Sequence, residues 1–141
     1  YLARAEDRFS LIVQVETAAS VKDAERIAAT PGVDGVFVGP NDLAADMGLL
    51  GQPGHPEVVE AVSAGLRRIR QAGKSAGVLC AEADVPLYRA AGANLFALGS
   101  DLGLLVKTAD ALAQRHCSAL AASPVLALSV VVPCAAAKIS R

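Results

Sequence analysis

Val33-Asp34-Gly35-Val36-Phe37-Val38-Gly39-Pro40-Asn41-Asp42-Leu43-Ala44-Ala45-Asp46-Met47-Gly48 is the stretch on which the fold turns. Val36, Phe37 and Val38 form a short apolar run between two glycines, the pattern of a buried strand. Gly39-Pro40 ends it, because proline has no N–H for a ladder and glycine permits an abrupt turn. Asn41-Asp42 then brings an amide and a carboxylate to the point where Leu43-Ala44-Ala45 begins a helix. A strand that stops at polar groups just ahead of a helix is where α/β enzymes assemble sites. On this stretch alone, the plainer reading that Asn41 or Asp42 only caps the helix stands level with the functional one.

Upstream, Leu11-Ile12-Val13-Gln14-Val15 is a second buried-strand candidate, and it runs into Glu16-Thr17. Two consecutive strands thus finish near a carboxylate, Glu16 and Asp42, with one helix between them. Neighbouring strands of a parallel sheet or barrel point the same way, so these ends lie side by side. Two acids there repel unless one is protonated or a cation bridges them. Mg²⁺ takes one or two protein carboxylates and fills its other positions with water and substrate oxygens. Glu16 and Asp42 are therefore candidate metal ligands.

The remaining chain repeats the same unit. Ser20-Val21-Lys22-Asp23 has the spacing of a capping box with Asp in place of Glu, and Val21, Ala24, Ile27 and Ala28 share one helical face. Thr30-Pro31-Gly32 stops that helix. Gly48-Leu49-Leu50-Gly51-Gln52-Pro53-Gly54 is a loop too long for a tight turn, of the kind that shapes sites. His55-Pro56 opens a helix with Val58, Val59, Val62, Leu66 and Ile69 at helical spacing, ended by Gly73. Its Arg67, Arg68 and Arg70 complement the helix dipole, and a solvated helix end outweighs a phosphate site there. Ser75–Leu79 is the third strand, with a helix near Asp84 to Ala91. Leu95–Leu98 is the fourth strand, followed by Gly99-Ser100-Asp101 and a helix over Leu102–Arg115. Four βα units of roughly thirty residues predict parallel α/β architecture, and four are half of a (β/α)₈ barrel of about 250 residues.

Composition agrees and narrows the class. The formal net charge of −1 excludes a strongly basic nucleic-acid surface. Hydrophobic residues make up 53% and aromatics 4%, so the core is built of Val, Leu, Ile and Ala. Cys80, Cys117 and Cys134 are odd in number and lack metal-ligand spacing, which fits a reducing compartment, and a cytoplasmic location is expected. Tyr1–Asp7 has no signal-peptide pattern, and without an initiator methionine the chain reads as starting partway through a longer protein. Ser118 to Ala137 carries no charge. Pro124, Pro133 and several serines make it a poor membrane span, so residues 116–141 are expected to be a divergent, poorly ordered tail rather than an anchor.

Gln14-Val15-Glu16-Thr17, Gly39-Pro40-Asn41-Asp42-Leu43, His55-Pro56-Glu57-Val58, Gly73-Lys74-Ser75-Ala76-Gly77 and Gly99-Ser100-Asp101 occur in an order that resembles the HpcH/HpaI family. These are metal-dependent class II pyruvate aldolases, such as 4-hydroxy-2-oxoheptanedioate and 2-dehydro-3-deoxyglucarate aldolases. The resemblance covers residues 1–115 and implies the second half of a TIM barrel. Its specificity lies in the pairing of Gln-x-Glu-Thr with Gly-Pro-x-Asp-Leu.

The resemblance implies that Glu16 and Asp42 hold Mg²⁺ or Mn²⁺, with Co²⁺ also admissible. It implies that Gln14, Gly39, Pro40, Asn41 and Asp42 bind the substrate. Asn41 stands where the family has a small residue whose backbone N–H meets the substrate carboxylate, a contact that does not use the side chain. The implied reaction is retro-aldol cleavage of a 4-hydroxy-2-oxo acid, as in aromatic or sugar-acid catabolism, to pyruvate and an aldehyde. A lysine Schiff base is disfavoured by position. Lys74 precedes its strand, Lys22 and Lys107 lie within helices, and Lys138 lies in the tail.

The family's general-base histidine, its acidic partner and its arginine come from the first half of the barrel. His55 and His116 stand at neither required place, so no catalytic base is expected in this chain, which reads as an inactive fragment. Two other classes compete: a non-catalytic remnant that binds metal or a 2-oxo acid, and a citrate-lyase-type CoA ester lyase. The expected partners are a small 2-oxo acid and, in the full-length family member, further copies of itself, with neither nucleic acid nor membrane.

Overall fold

Each apolar run of the sequence becomes a strand, and each strand lies beside its predecessor. The structure, a computed structural model, describes the backbone of residues 9–120 and the side chains of residues 9–116. The strands are β1 (Ile12–Val15), β2 (Gly35–Val38), β3 (Ser75–Leu79) and β4 (Leu95–Ala97), within a residue of the predicted spans. They form one sheet in the order β1-β2-β3-β4, parallel throughout. This is the arrangement of four consecutive βα units of a TIM barrel.

The helices are α1 (Ala18–Lys22), α2 (Ala24–Ala28), α3 (Pro40–Asp46), α4 (Pro56–Gln71), α5 (Val85–Ala90) and α6 (Asp101–Leu120), with a 3₁₀ turn at Glu82–Asp84. The single helix predicted after Glu16 is two short ones, broken at Asp23. The last helix runs five residues past the predicted Arg115. The described residues divide into two compact units, one ending at Gly99 and the other beginning at Ser100. In the second, the Ser100 hydroxyl and carbonyl accept from the N–H groups of Gly103 and Leu104 at the start of α6. From residue 121 onward, the expected tail lies outside the described residues.

In the first unit the sheet has two unlike faces. Register aligns Val15, Val38 and Val78, and likewise Val13, Val36 and Ala76. Apart from half-buried Val13 these are fully covered, packed with Val21 and Ala24 and with Val58, Val62, Leu66 and Ile69 of α4. Alternation along each strand sends the next row to the other face. That row holds Ile12, Gln14, Phe37, Gly77, Leu79 and Leu95. Ile12 is 47% exposed, Gln14 is exposed, and Phe37, Leu79 and Leu95 are only half-buried. Gly77 is needed there: a Cβ would stand 2.4 Å from the Phe37 ring and 3.2 Å from Leu95.

Helix α4 shows why the local sequence folds as it does. Pro56 takes the first position, where no N–H is needed, and the His55 ring accepts from Glu57 N–H at 3.3 Å. Val58, Val62, Leu66 and Ile69 repeat at helical spacing and are fully buried, while Arg67 pairs with Glu60 at 2.7 Å on the outer side. Past its end, Gly73 adopts φ +75°, a conformation that glycine takes without a Cβ clash. The helix arginines follow the plainer reading, since Arg70 also donates to the Lys74 carbonyl at 2.9 Å.

Candidate active site

Because β1 and β2 are parallel and in register at Val15 and Val38, the residues that follow each strand emerge side by side. Gly39 N–H donates to the Val15 carbonyl at 3.0 Å, extending the ladder by one step. Glu16 and Gly39 are therefore neighbours. A Cβ on Gly39 would lie 3.0 Å from Gln14 Nε2, 3.3 Å from Glu16 Cβ and 3.4 Å from Glu16 Oε2. The missing side chain leaves a cradle beside the Glu16 carboxylate. Gln14, two residues earlier and on the same strand face, donates from Nε2 to Glu16 Oε2 at 2.8 Å.

The turn after Glu16 is held by a different pair than the sequence pattern suggested. Thr17 is the N-cap of α1: its hydroxyl accepts from Ser20 N–H at 3.1 Å, and Ser20 Oγ accepts from Thr17 N–H at 3.0 Å. Ser20 Oγ also receives the Glu16 N–H at 3.2 Å. Asp23, predicted to complete a box with Ser20, instead sits between α1 and α2 and pairs with Arg26. Thr17 starts the helix three residues earlier than expected, so Ser20 falls at its third position. Glu16 thus stands on a backbone fixed from both sides.

On the second strand, α3 starts at Gly39 with Pro40 in its first turn and no side-chain cap. Asn41 and Asp42 are the second and third helical residues, both exposed, and cap nothing. Among the described residues, neither side chain makes a hydrogen bond. This removes the capping role that competed with the functional one. The first turn of a helix also favours the negative charge of Asp42.

Asp46 is a residue that sequence reasoning passed over. Its Oδ2 accepts from Ala18 N–H at 2.8 Å, bridging the end of α3 to the start of α1. The available signal was the spacing Asp42-x-x-x-Asp46, which puts two carboxylates one helical turn apart on one face.

Next to these strands, Pro40, Asn41, Leu79, Cys80, Asp84 and Tyr88 line a cavity of about 450 Å³ with residues of the Pro53-Gly54 loop. Burial, and secondarily the Asp84 charge, raises the Cys80 thiol above its ordinary pKa. The Tyr88 hydroxyl is raised by burial first, then by Asp84 and Cys80. Both groups are held in their neutral forms.

The other sequence candidates fall elsewhere. Lys74 Nζ donates to the Val33 carbonyl at 2.7 Å, at the amino ends of β2 and β3, opposite to Glu16. Lys22 ends α1, while Lys107 and His116 lie within α6. His55 is an N-cap. Among the described residues, no three His, Cys, Asp or Glu side chains form a group able to hold a metal alone. Two carboxylates, Glu16 and Asp42, at the same end of adjacent strands, with the cradle at Gly39, suit a hard divalent cation that draws its other ligands from water and substrate.

Fold and strand-end chemistry place the chain among α/β proteins built on the (β/α)₈ plan, of which it supplies four units. It belongs to the HpcH/HpaI aldolase/citrate lyase family, whose model matches residues 2–108. It is 47% identical over 110 residues to a hydroxypyruvate/pyruvate aldolase of Roseovarius nubinhibens, a match covering 77% of this chain and 43% of the relative. It is 45% identical over 116 residues to a 4-hydroxy-2-oxo-heptane-1,7-dioate aldolase of Shigella sonnei, covering 82% and 44%. A crystal structure of a family protein from Burkholderia cenocepacia superposes with a TM-score of 0.74 at 42% identity, covering 82% of this chain and 45% of that one. The chain thus spans less than half the length of the relatives it matches.

Proposed function

We propose that this chain carries the metal- and pyruvate-holding part of a class II pyruvate aldolase site, for cleavage of a 4-hydroxy-2-oxo acid to pyruvate and an aldehyde. The observation that supports this best is the pair Glu16 and Asp42 at the carboxyl ends of adjacent parallel strands, with Gln14 holding Glu16 beside the Gly39 cradle. The activities for which these two relatives are named favour an aldolase over a CoA ester lyase.

Glu16 and Asp42 would hold the divalent ion, Mg²⁺ or Mn²⁺, with Co²⁺ also admissible. When bound, that ion supplies Lewis-acid stabilisation of the negative charge that develops on the pyruvate keto oxygen. The chain's own groups orient and anchor. The Gln14 amide fixes Glu16 through Oε2, and from the bare sheet face it would reach the substrate. The first-turn N–H groups of α3, at Asn41 and Asp42, lack a side-chain cap and suit a substrate carboxylate, with Gly39 and Pro40 shaping the approach. Proton transfer at the aldehyde-side hydroxyl needs a base. His55 is occupied as a cap and His116 belongs to α6, so the base comes from outside the described residues. That shortage favours, as second reading, a binding remnant without turnover.

The site's ligand is then a small 2-oxo acid. Exposed apolar residues of the sheet support association with further copies: Leu11 is 54% and Ile12 47% exposed on the edge strand, and Phe37 and Leu95 are only half-buried. Sedimentation of the purified chain should show self-association, and a stable micromolar monomer would contradict this. Among the described residues no helix is long and apolar enough to cross a membrane.

A pyruvate-release assay tests the function. The 141-residue chain alone, with Mg²⁺ or Mn²⁺, should release little or no pyruvate from a 4-hydroxy-2-oxo acid. Co-expressed with the first four βα units of a related aldolase, it should gain release that Asp42→Ala abolishes. A co-eluting assembly that releases none would favour the non-catalytic reading. Release by the chain alone, lost in Asp42→Ala, would overturn the claim that the base is missing.

A further inference from the structure

We propose that Asp46 is a positioning residue that fixes the distance between the two carboxylate-bearing segments. This rests on the reading of Glu16 and Asp42 as ion ligands. Glu16 lies two residues before Ala18, and Asp42 lies one helical turn before Asp46 on the same face of α3. The hydrogen bond from Ala18 N–H to Asp46 Oδ2, 2.8 Å long and spanning 28 positions, joins the two segments beyond the last rung of the ladder.

The segments it joins are rigid in themselves. Ser20 Oγ gathers the N–H groups of Glu16 and Thr17, and Thr17 Oγ1 takes that of Ser20, so the turn from Glu16 to Ser20 moves as one piece. All of these bonds lie inside the turn and do not set where it sits relative to α3. The strand bond from Gly39 N–H to the Val15 carbonyl is one point of attachment, and the Asp46 bond is a second. Val21 anchors the far end of α1 in the core, so at the Glu16 end these two bonds are the hydrogen bonds that set the turn against α3. An ion held by carboxylates from both segments is sensitive to that setting, as metal sites are to the groups that orient their ligands.

A purely structural bond and a purely electrostatic role for the Asp46 charge make different forecasts, and two variants separate them. Asp46→Ala removes the acceptor and the charge, whereas Asp46→Asn removes the charge and keeps an oxygen for Ala18 N–H. The probe is Mn²⁺ alone, titrated into the full chain and followed by the electron paramagnetic resonance signal of the free ion. Asp46→Ala should weaken binding by about tenfold and Asp46→Asn by no more than about threefold, in the range known for groups that orient metal ligands. Amide exchange at Ala18 should accelerate in Asp46→Ala and stay slow in Asp46→Asn, with the amides of α4 slow in both. Equal weakening by both variants would overturn the proposal in favour of charge alone. Unchanged Mn²⁺ affinity in Asp46→Ala, with faster Ala18 exchange, would reduce the bond to a structural one and leave the ligand reading intact. No Mn²⁺ binding by the wild-type chain would remove the ligand reading and this proposal together.

Discussion

At the carboxyl ends of β1 and β2 the chain gathers Glu16, Asp42 and Asp46, while at the end of β3 it gathers Cys80, Glu82, Asp84 and Tyr88. Both groups stand on the same sheet, backed by the same buried face of α4. Both contain acids, so acidity alone does not distinguish them. In the first, one carboxylate is aimed by an amide, another by a backbone N–H, and a glycine leaves space beside the aimed oxygen. In the second, burial first and the Asp84 charge second raise the pKa of Cys80 and Tyr88. At one end carboxylates are held in place by donors, and at the other an acid stands beside a thiol and a phenol whose ionisation is disfavoured. The orienting contacts, more than the acids themselves, mark the candidate site.

The largest expected effect on stability separates Gly77 from Gly39. Gly77→Ala places a Cβ 2.4 Å from the Phe37 ring, and urea unfolding should show a loss of about 1–3 kcal/mol from overpacking. Gly39→Ala meets mainly the outer atoms of Gln14 and Glu16 and should cost less stability while displacing Glu16. If Gly39→Ala proved the more destabilising, the space beside Glu16 would belong to the fold rather than to a ligand. A middle-sized effect concerns caps. Thr17→Ala should cost about 1 kcal/mol, because the Ser20 N–H, an orphan donor of α1, loses the hydroxyl that accepts it. Asp84 makes no cap bond, so Asp84→Ala should stay within about 0.5 kcal/mol in the same unfolding experiment.

The smallest effect is chemical. Because burial and then Asp84 raise the Cys80 pKa, its thiolate is scarcer at a given pH than that of an ordinary cysteine. Iodoacetamide labelling of Cys80, located by peptide mass mapping, should be slow near neutral pH. It should climb only above the usual thiol range, and Asp84→Asn should speed it slightly. Fast labelling at neutral pH would mean that ionisation is not disfavoured at the β3 end.

Much of this was legible in advance, for physical reasons that differ by residue. Val36-Phe37-Val38 and Ser75–Leu79 were readable because parallel strands buried in the middle of a sheet are continuous apolar runs. Glu16 and Asp42 were placed correctly at the same end of neighbouring strands because chain direction alone settles it. The Thr17 and Ser20 box was misread as Ser20 and Asp23, since several overlapping Ser/Thr-x-x patterns satisfy the same local rule and only the helix start decides between them. Asp46 was legible only as a second carboxylate one turn after Asp42; its bond to Ala18, 28 positions away, has no local pattern to announce it. The bare face was not read from the strands: Leu11–Val15 stood as a buried-strand candidate, and the crossing of the Phe37 ring over Gly77 is a packing event between strands.

The most direct test of the central claim is a Mn²⁺ titration of the purified chain and three variants, Glu16→Gln, Asp42→Asn and Asp84→Asn. Expected is one ion bound per chain, lost or weakened at least about tenfold in Glu16→Gln and in Asp42→Asn and unchanged in Asp84→Asn. Binding that survives both of the first two substitutions, or that disappears only with Asp84→Asn, would contradict the assignment of the site to the ends of β1 and β2.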